Sequence, residues 1–326
     1  MGDGAPALPA EGNAVHPSET TLSARRALLE KVIDDAGLFP PASLDMKSAL
    51  QADAGARTSA EAWILGRFVV PVVRVEELVR ARDALEVPLP LSVILDGAHV
   101  ARDLASVLER AANATESIAV AAVELRLAEG RDGDVATSVT RIVADIDASG
   151  LDGAAPVYLE FTFGTDWRTH LSATFDAFAD AAARSAHPVA AKIRCGGTAS
   201  VPRPEQLAFA IGTLRALEVP FKATAGLHHP IRRKDPQSGT ETHGFLNVLG
   251  VAVLDYELDL DERTRQQVLL EENPAAFGLD DDAFRWNGLS VDAAQVAAAR
   301  RDFVHAFGSC SFTEPIADLQ ALEVLI

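Results

Sequence analysis

Val189-Ala190-Ala191-Lys192-Ile193-Arg194-Cys195-Gly196-Gly197 is followed by an amphipathic run over 204–218 and then by Phe221-Lys222-Ala223-Thr224-Ala225-Gly226. Each short run has the length of a buried strand and ends in glycine. The run between them has the length and spacing of a helix. Strand, helix and strand in that order make a parallel βαβ unit, because a parallel partner is reached only by a crossover.

The alternation extends to both sides. Further strand-like runs lie at Arg67–Val73, Leu89–Asp96, Ile118–Leu127, Pro156–Phe163, Phe284–Val291 and Ser309–Thr313. Helical spacing fits 75–86, 100–112, 134–149, 168–186, 242–256 and 292–306, with one more stretch near 261–272. An extra N-terminal helix starts near Ser18 or Thr21 and runs to Ala36. Gly37-Leu38-Phe39-Pro40-Pro41 then turns the chain and can help close a barrel end. Eight strands alternating with helices predict a (β/α)8 TIM-type barrel; the alternative is an open parallel doubly wound sheet. The count of eight favours the barrel, as does the lack of a GxGxxG after the first strand. Residues 1–17, rich in Gly, Pro and Ala, read as a disordered lead-in, and 18–326 as a single barrel domain.

The 326 residues are 48% hydrophobic and carry a formal net charge of -18. The field of such a chain repels phosphate backbones and anionic membranes, which argues against both as partners. A small anionic substrate would need a local basic pocket; a homo-oligomer is compatible with everything read so far. Of 29 basic residues only five are lysines, and two of these, Lys192 and Lys222, lie inside apolar strand runs. The two cysteines, Cys195 and Cys310, match neither a disulfide framework nor a zinc pattern. Cys195 reads as a helix-facing, inert thiol. No run reaches the roughly 20 apolar residues of a membrane span, and the N-terminus lacks a signal-peptide pattern. A cytoplasmic location is the expectation.

Side chains alternate across a strand, so parity sorts them into two faces. One face holds Val93, Leu95, Val123, Leu125, Leu159, Phe161, Phe163, Ile193, Phe221 and Ala223, and is expected to meet the helices. The other holds Asp96, Glu124, Arg126, Glu160, Thr162, Lys192, Arg194, Lys222 and Thr224, and is expected to face the barrel axis. These polar residues crowd toward the C-terminal strand ends, where barrel enzymes keep their active sites. A ring of acids and bases that pair completely would instead be a charged core.

Four segments carry chemistry. In Lys192–Gly197, Arg194 can grip a carboxylate or phosphate, and Gly196 and Gly197 let a ligand approach the backbone. In Phe221–Pro230, Lys222 and Thr224 point inward; a lysine in an apolar wall beside other cations has a lowered pKa and becomes a usable nucleophile or base. There, if the strand extends that far, His228 continues the inward parity and His229 points away. In Thr240–Asn247, His243 and Asn247 fall at i, i+4 on one helix face, after the basic run Arg232-Arg233-Lys234 in a lid-length loop. Phe307–Pro315 places small residues and an acid at the mouth of the eighth strand, beside which many barrels bind phosphate.

Lys192-Ile193-Arg194-Cys195-Gly196-Gly197 and Phe221-Lys222-Ala223-Thr224-Ala225-Gly226-Leu227-His228-His229-Pro230 together resemble an uncharacterised bacterial (β/α)-barrel family. That likeness runs from Gly37 over most of the chain. Locally, Lys222-Ala223-Thr224 and Lys192…Gly196-Gly197 also resemble class I aldolases of the deoxyribose-phosphate aldolase type. Those barrels carry lysines on two adjacent late strands in Lys-x-Ser/Thr or Lys-x-Ser-Gly-Gly runs. The order of the two patterns and the chain length differ here. The aldolase-like resemblance implies a Schiff base lysine, at Lys222.

Three functions compete. The first is a lyase, aldolase or isomerase acting on a small anionic carbonyl compound. In it Lys222 forms an imine or acts as base, Lys192 lowers its pKa, Glu160 and Glu124 move protons, and Arg194, Arg126, Asp96, Thr224, Gly196, Gly197, His228, His229, His243 and Asn247 hold substrate. No cofactor is needed for it. The second is a metal-dependent barrel hydrolase or lyase, with a divalent ion on Glu124, Glu160, His228 and His243. The third is a non-catalytic metabolite-binding barrel.

Overall fold

In the computed structural model the described residues are 22–81, 89–97, 99–113, 118–127, 134–197, 201–234 and 239–325. The expected lead-in, 1–17, lies outside them. Seven parallel strands come first: β1 (Ile33–Asp35), β2 (Leu65–Pro71), β3 (Leu89–Leu95), β4 (Ile118–Arg126), β5 (Val157–Glu160), β6 (Val189–Arg194) and β7 (Phe221–Thr224). A two-stranded ribbon, β8 (Arg233–Lys234) and β9 (Glu241–Thr242), and a three-stranded antiparallel sheet, β10 (Phe277–Leu279), β11 (Ala283–Trp286) and β12 (Leu289–Asp292), follow. β13 (Val304–Ser309) then lies between β7 and β1 and closes an eight-stranded parallel barrel. With helices following its strands, this is the TIM-type architecture the alternation predicts.

Eight is the right count, but two members differ from the expectation. The N-terminal helix stops early: α1 (Ala24–Leu29) starts at Ser23, whose hydroxyl accepts the Arg26 amide, and its C-cap is Glu30. Lys31 takes a left-handed backbone (φ 49°), and Ile33–Asp35 become the first barrel strand rather than the end of a helix. Three residues are too few to show a period of two, and Leu28, Leu29, Val32 and Ile33 mimic a helical stripe.

Phe284–Val291 is no barrel strand. It is the β11–β12 hairpin, turned at Asn287-Gly288, both with positive φ (42° and 86°). Asn-Gly is the residue pair such two-residue turns require, so the turn was legible. The last strand begins at Val304, inside the expected helix 292–306. α10 (Ala293–Asp302) is capped by Asp292, which accepts the Gln295 amide, and ends where Phe303 meets Phe221 edge-on. The helical face expected to carry His243 and Asn247 also starts later: α8 spans Phe245–Leu258 with Gly244 as its N-cap.

The apolar parity is buried between strands and helices, as in Val93, Val123, Leu159, Ile193 and Ala223, with Phe163 at a strand end only partly so. Cys195 is buried among them, and burial pushes its thiol up to about 12, so it remains an unreactive S–H at neutral pH. No helix of the described residues is long and apolar enough to cross a membrane.

Candidate functional site

Register brings the polar parity together. Lys192 lies opposite Lys222 across β6 and β7 and opposite Glu160 across β5 and β6. Their side chains form one chain of alternating charge. Arg194 Nε donates to Glu160 (3.0 Å), Lys192 Nζ lies 2.8 Å from both Glu160 and Glu124, and Lys222 Nζ lies 2.7 Å from Glu124. Lys222 also donates to Asp34 of β1, and Ser92 of β3 donates to Glu124 (2.6 Å). All but Arg194 are buried. The ring of Tyr158 lies beneath, its centroid 5.2 Å from Lys222 Nζ.

These contacts set the protonation states. Burial alone would raise the Glu124 carboxyl, yet the two ammonium groups outweigh it and hold Glu124 far below the ordinary carboxylate range. Glu160 is lowered in the same way, by Lys192 and Arg194 against burial. Burial would lower Lys222, but Asp34 and Glu124 win and raise it above an ordinary lysine. The lowered pKa expected of Lys222 is therefore corrected: its neighbours are carboxylates on both sides, and the resting amine holds its proton.

A cavity of about 530 Å³ opens on this network at the C-terminal ends of the strands. Lys222, Glu124 and Lys192 border it together with Val69 and Ile94. Phe39, Pro40 and Pro41, the turn after β1, wall one side, in keeping with the expected closing role of that turn. Arg194, Gly197, Thr224 and His228 line the rest, with Cys310 from the loop after β13. The Arg194 side chain is 42% exposed against 1% for Lys222, so Arg194 is the cation nearest the opening.

Several expected site residues stay off this cavity. Arg126 and Asp96 end at exposed positions beyond the last inward layer of their strands. The strand stops at Thr224, short of the two histidines, so parity does not sort them: His229 bonds Asp318 (2.6 Å), and both rings lie within 4 Å of Glu314. His243 is buried with its ring on the Pro202 carbonyl (2.7 Å), and burial pushes it down to about 4. Asn247 accepts from the Arg232 amide and donates to the Val268 and Glu271 carbonyls, so it fastens the loop before α8 onto the chain after it. Gly196 serves contact between loops: a Cβ there would lie 2.8 Å from Gly226 Cα. The proposed metal ligands are not assembled. Among the described residues no three His, Cys, Asp or Glu side chains are placed to hold an ion. The basic run is split, with Arg232 buried against Glu241 (3.0 Å) and Arg233 and Lys234 exposed in the ribbon.

Two site residues escaped the sequence reading. Asp34 did so because β1 did. Ser92 shares the inward parity of Ile94 on β3, so its position was legible, but a lone serine carries no signal of a carboxylate partner. No protein-family model matches the chain, and no curated protein is detectably similar to it.

Proposed function

We propose that this barrel is an enzyme acting on a small anionic carbonyl compound, by lyase or isomerase chemistry centred on its paired strand lysines. The observation that carries the reading is the juxtaposition of Lys192 and Lys222, in register on adjacent strands, with both amines on Glu124 and both residues on a cavity of metabolite size. Six charges in one network, four of them bordering one cavity, are a poor design for stability alone, since burying ions rarely improves on apolar packing. Convergent titratable groups in a cleft more often mark chemistry.

The division of labour follows from burial and pairing. Lys222, protonated between Asp34 and Glu124, is the fixed cation. Lys192 stands between Glu124 and Glu160, one step nearer the opening, and is the group that attacks the carbonyl carbon. To do so it gives a proton to Glu160, which becomes possible once substrate excludes water and weakens the ionised pair. The carbonyl oxygen leaves as water, taking the proton held by Glu160 and one from the attacking nitrogen, and leaves a protonated imine on Nζ with Glu160 ionised again. Arg194 holds the substrate's negative group through its planar fork.

The test is reductive trapping. Incubation with 2-oxo acids and phosphorylated aldehydes, followed by borohydride and peptide mass mapping, is expected to place an adduct on Lys192 and to lose it in Lys192→Arg. An adduct on Lys222 would move the nucleophile by one strand. No adduct with any carbonyl probe would remove the imine mechanism. A second reading, a non-catalytic binding barrel, is favoured by one observation: every charge of the network already has a partner. A ligand found by thermal-shift screening that binds at the Arg194 end without turnover would favour it.

A further inference from the structure

The other end of the barrel holds a second cavity, of about 620 Å³, that shares no residue with the first. Five cations border it, Lys31, Arg57, Arg67, Arg300 and Arg301, against two carboxylates, Glu30 and Asp302. Those carboxylates are committed: Glu30 to Arg26 (3.1 Å) and Asp302 to Arg301. Arg57 has its own partner in Asp53 (2.7 Å). Lys31, Arg67 and Arg300 remain.

None of these three has a carboxylate of its own. Lys31 is exposed and pairs with no described acid. Arg67 reaches Tyr158 and, at 4.0 Å, Asp34, which hold its guanidinium raised against burial, but Asp34 is already the closer partner of Lys222. Arg300 spends its terminal nitrogens on the carbonyls of Glu30, Val304 and His305, while its buried Nε has no partner. Burial pushes this guanidinium down to about 10, with Arg67 adding repulsion. The same burial, with Arg300 and Arg67 nearby, pushes His305 down to about 4. Arg300 is half-buried and its hydrogen bonds all go to neutral acceptors, so with a second cation nearby and only the charges of Asp34 and Glu30 to offset it, an added anion is favourable. In a chain of net charge -18 this concentration of unanswered cations runs against the overall field.

We propose that this cavity is a second binding site, for a small dianion carrying a phosphoryl group or two carboxylates, held by Arg300, Arg67 and Lys31. Arg67 supplies a forked donor for such oxygens, Arg300 supplies its charge and the one terminal hydrogen its carbonyl contacts leave over, and Lys31 supplies a point charge at the rim. The site shares no lining residue with the first cavity, although Arg67 and Lys222 both reach Asp34.

Calorimetric titration of the full chain with inorganic phosphate and, separately, with succinate at constant ionic strength tests this. Saturable binding of at least one anion is expected, weakened about tenfold or more by Arg300→Gln, the loss of a charge-assisted contact. The exposed Lys31→Gln, which does not endanger folding, is expected to weaken it about threefold. The same binding persists in Arg194→Ala, which alters only the first cavity. Preference for phosphate over succinate identifies a phosphoryl ligand, and the reverse a dicarboxylate. The proposal fails if neither anion saturates, if Arg194→Ala abolishes the binding, or if neither base-end variant weakens it.

Discussion

At the C-terminal end of the barrel each buried cation lies between carboxylates: Lys222 between Asp34 and Glu124, Lys192 between Glu124 and Glu160. At the N-terminal end Arg300 meets carbonyl oxygens alone, and Arg67 competes for an aspartate that a lysine already holds. The same fold thus contains one charge network that is closed and one that is open. A closed network fixes protonation states, raising Lys222 and lowering Glu124 and Glu160. At the open end burial lowers Arg300, while Asp34 and Tyr158 hold Arg67 raised against its own burial, and the cavity leaves room for a ligand.

Breaking the closed network should cost most. Glu124→Gln leaves two buried ammonium groups short of their shared acceptor, and is expected to destabilise the fold by about 3–5 kcal/mol in urea titration. A change below about 1 kcal/mol would mean that water already screens the pair.

Asp35 sharpens the contrast on a single strand. Asp34 faces Lys222, but its neighbour is buried, and burial pushes its carboxyl up to about 7. A raised carboxyl means that the folded chain keeps a proton the unfolded chain has lost, so this group's contribution falls as pH rises from about 4 to about 7. Asp35→Asn, which can still accept from the Gly37 amide, should therefore match the parent at pH 4 and exceed it at pH 8, on the order of 2 kcal/mol. Glu124 and Glu160 run the other way, with stability present above the ordinary carboxylate range and lost as pH falls through it. Urea midpoints measured from pH 2 to 8 separate the two slopes, the glutamates acting below about 4 and Asp35 above it.

Opening the N-terminal end further costs less. Arg300→Met removes a cation that no carboxylate holds, and the loss is that of its carbonyl contacts, about 1–2 kcal/mol. A loss matching that of Glu124→Gln would contradict the asymmetry. Smallest in stability is Arg194→Ala, below about 1 kcal/mol because its half-exposed pair with Glu160 is screened by water. Its effect belongs to the substrate: binding of an anionic ligand at the mouth should weaken about tenfold.

Much of this was legible beforehand because a strand repeats every two residues. Parity alone put Glu124, Glu160, Lys192, Arg194 and Lys222 on one face, and their contacts agree. It failed at the ends, where Arg126 and Asp96 keep the inward parity but lie past the layer in which inward side chains meet. It failed for His243 and Asn247 because an i, i+4 pair marks a shared face without saying what that face touches. Here Gly244 caps the helix and the histidine precedes it, buried on a carbonyl. For His228 and His229 parity does not apply, because the strand ends at Thr224 and the next two residues, Ala225 and Gly226, take positive φ; both rings reach Glu314.

The sequence by itself determined the parallel barrel class, the mouth at which the charges gather and the face each strand presents, because alternation and strand–helix order are local properties. Only the tertiary structure decided which strand closes the barrel, since β1 is three residues long and is defined by pairing with β2 and β13 rather than by any pattern of its own. That closure brings Asp34 onto Lys222 and turns an expected low-pKa amine into a held ammonium. A pKa depends on what stands a few ångströms away, and residues 34 and 222 become neighbours only when the barrel closes.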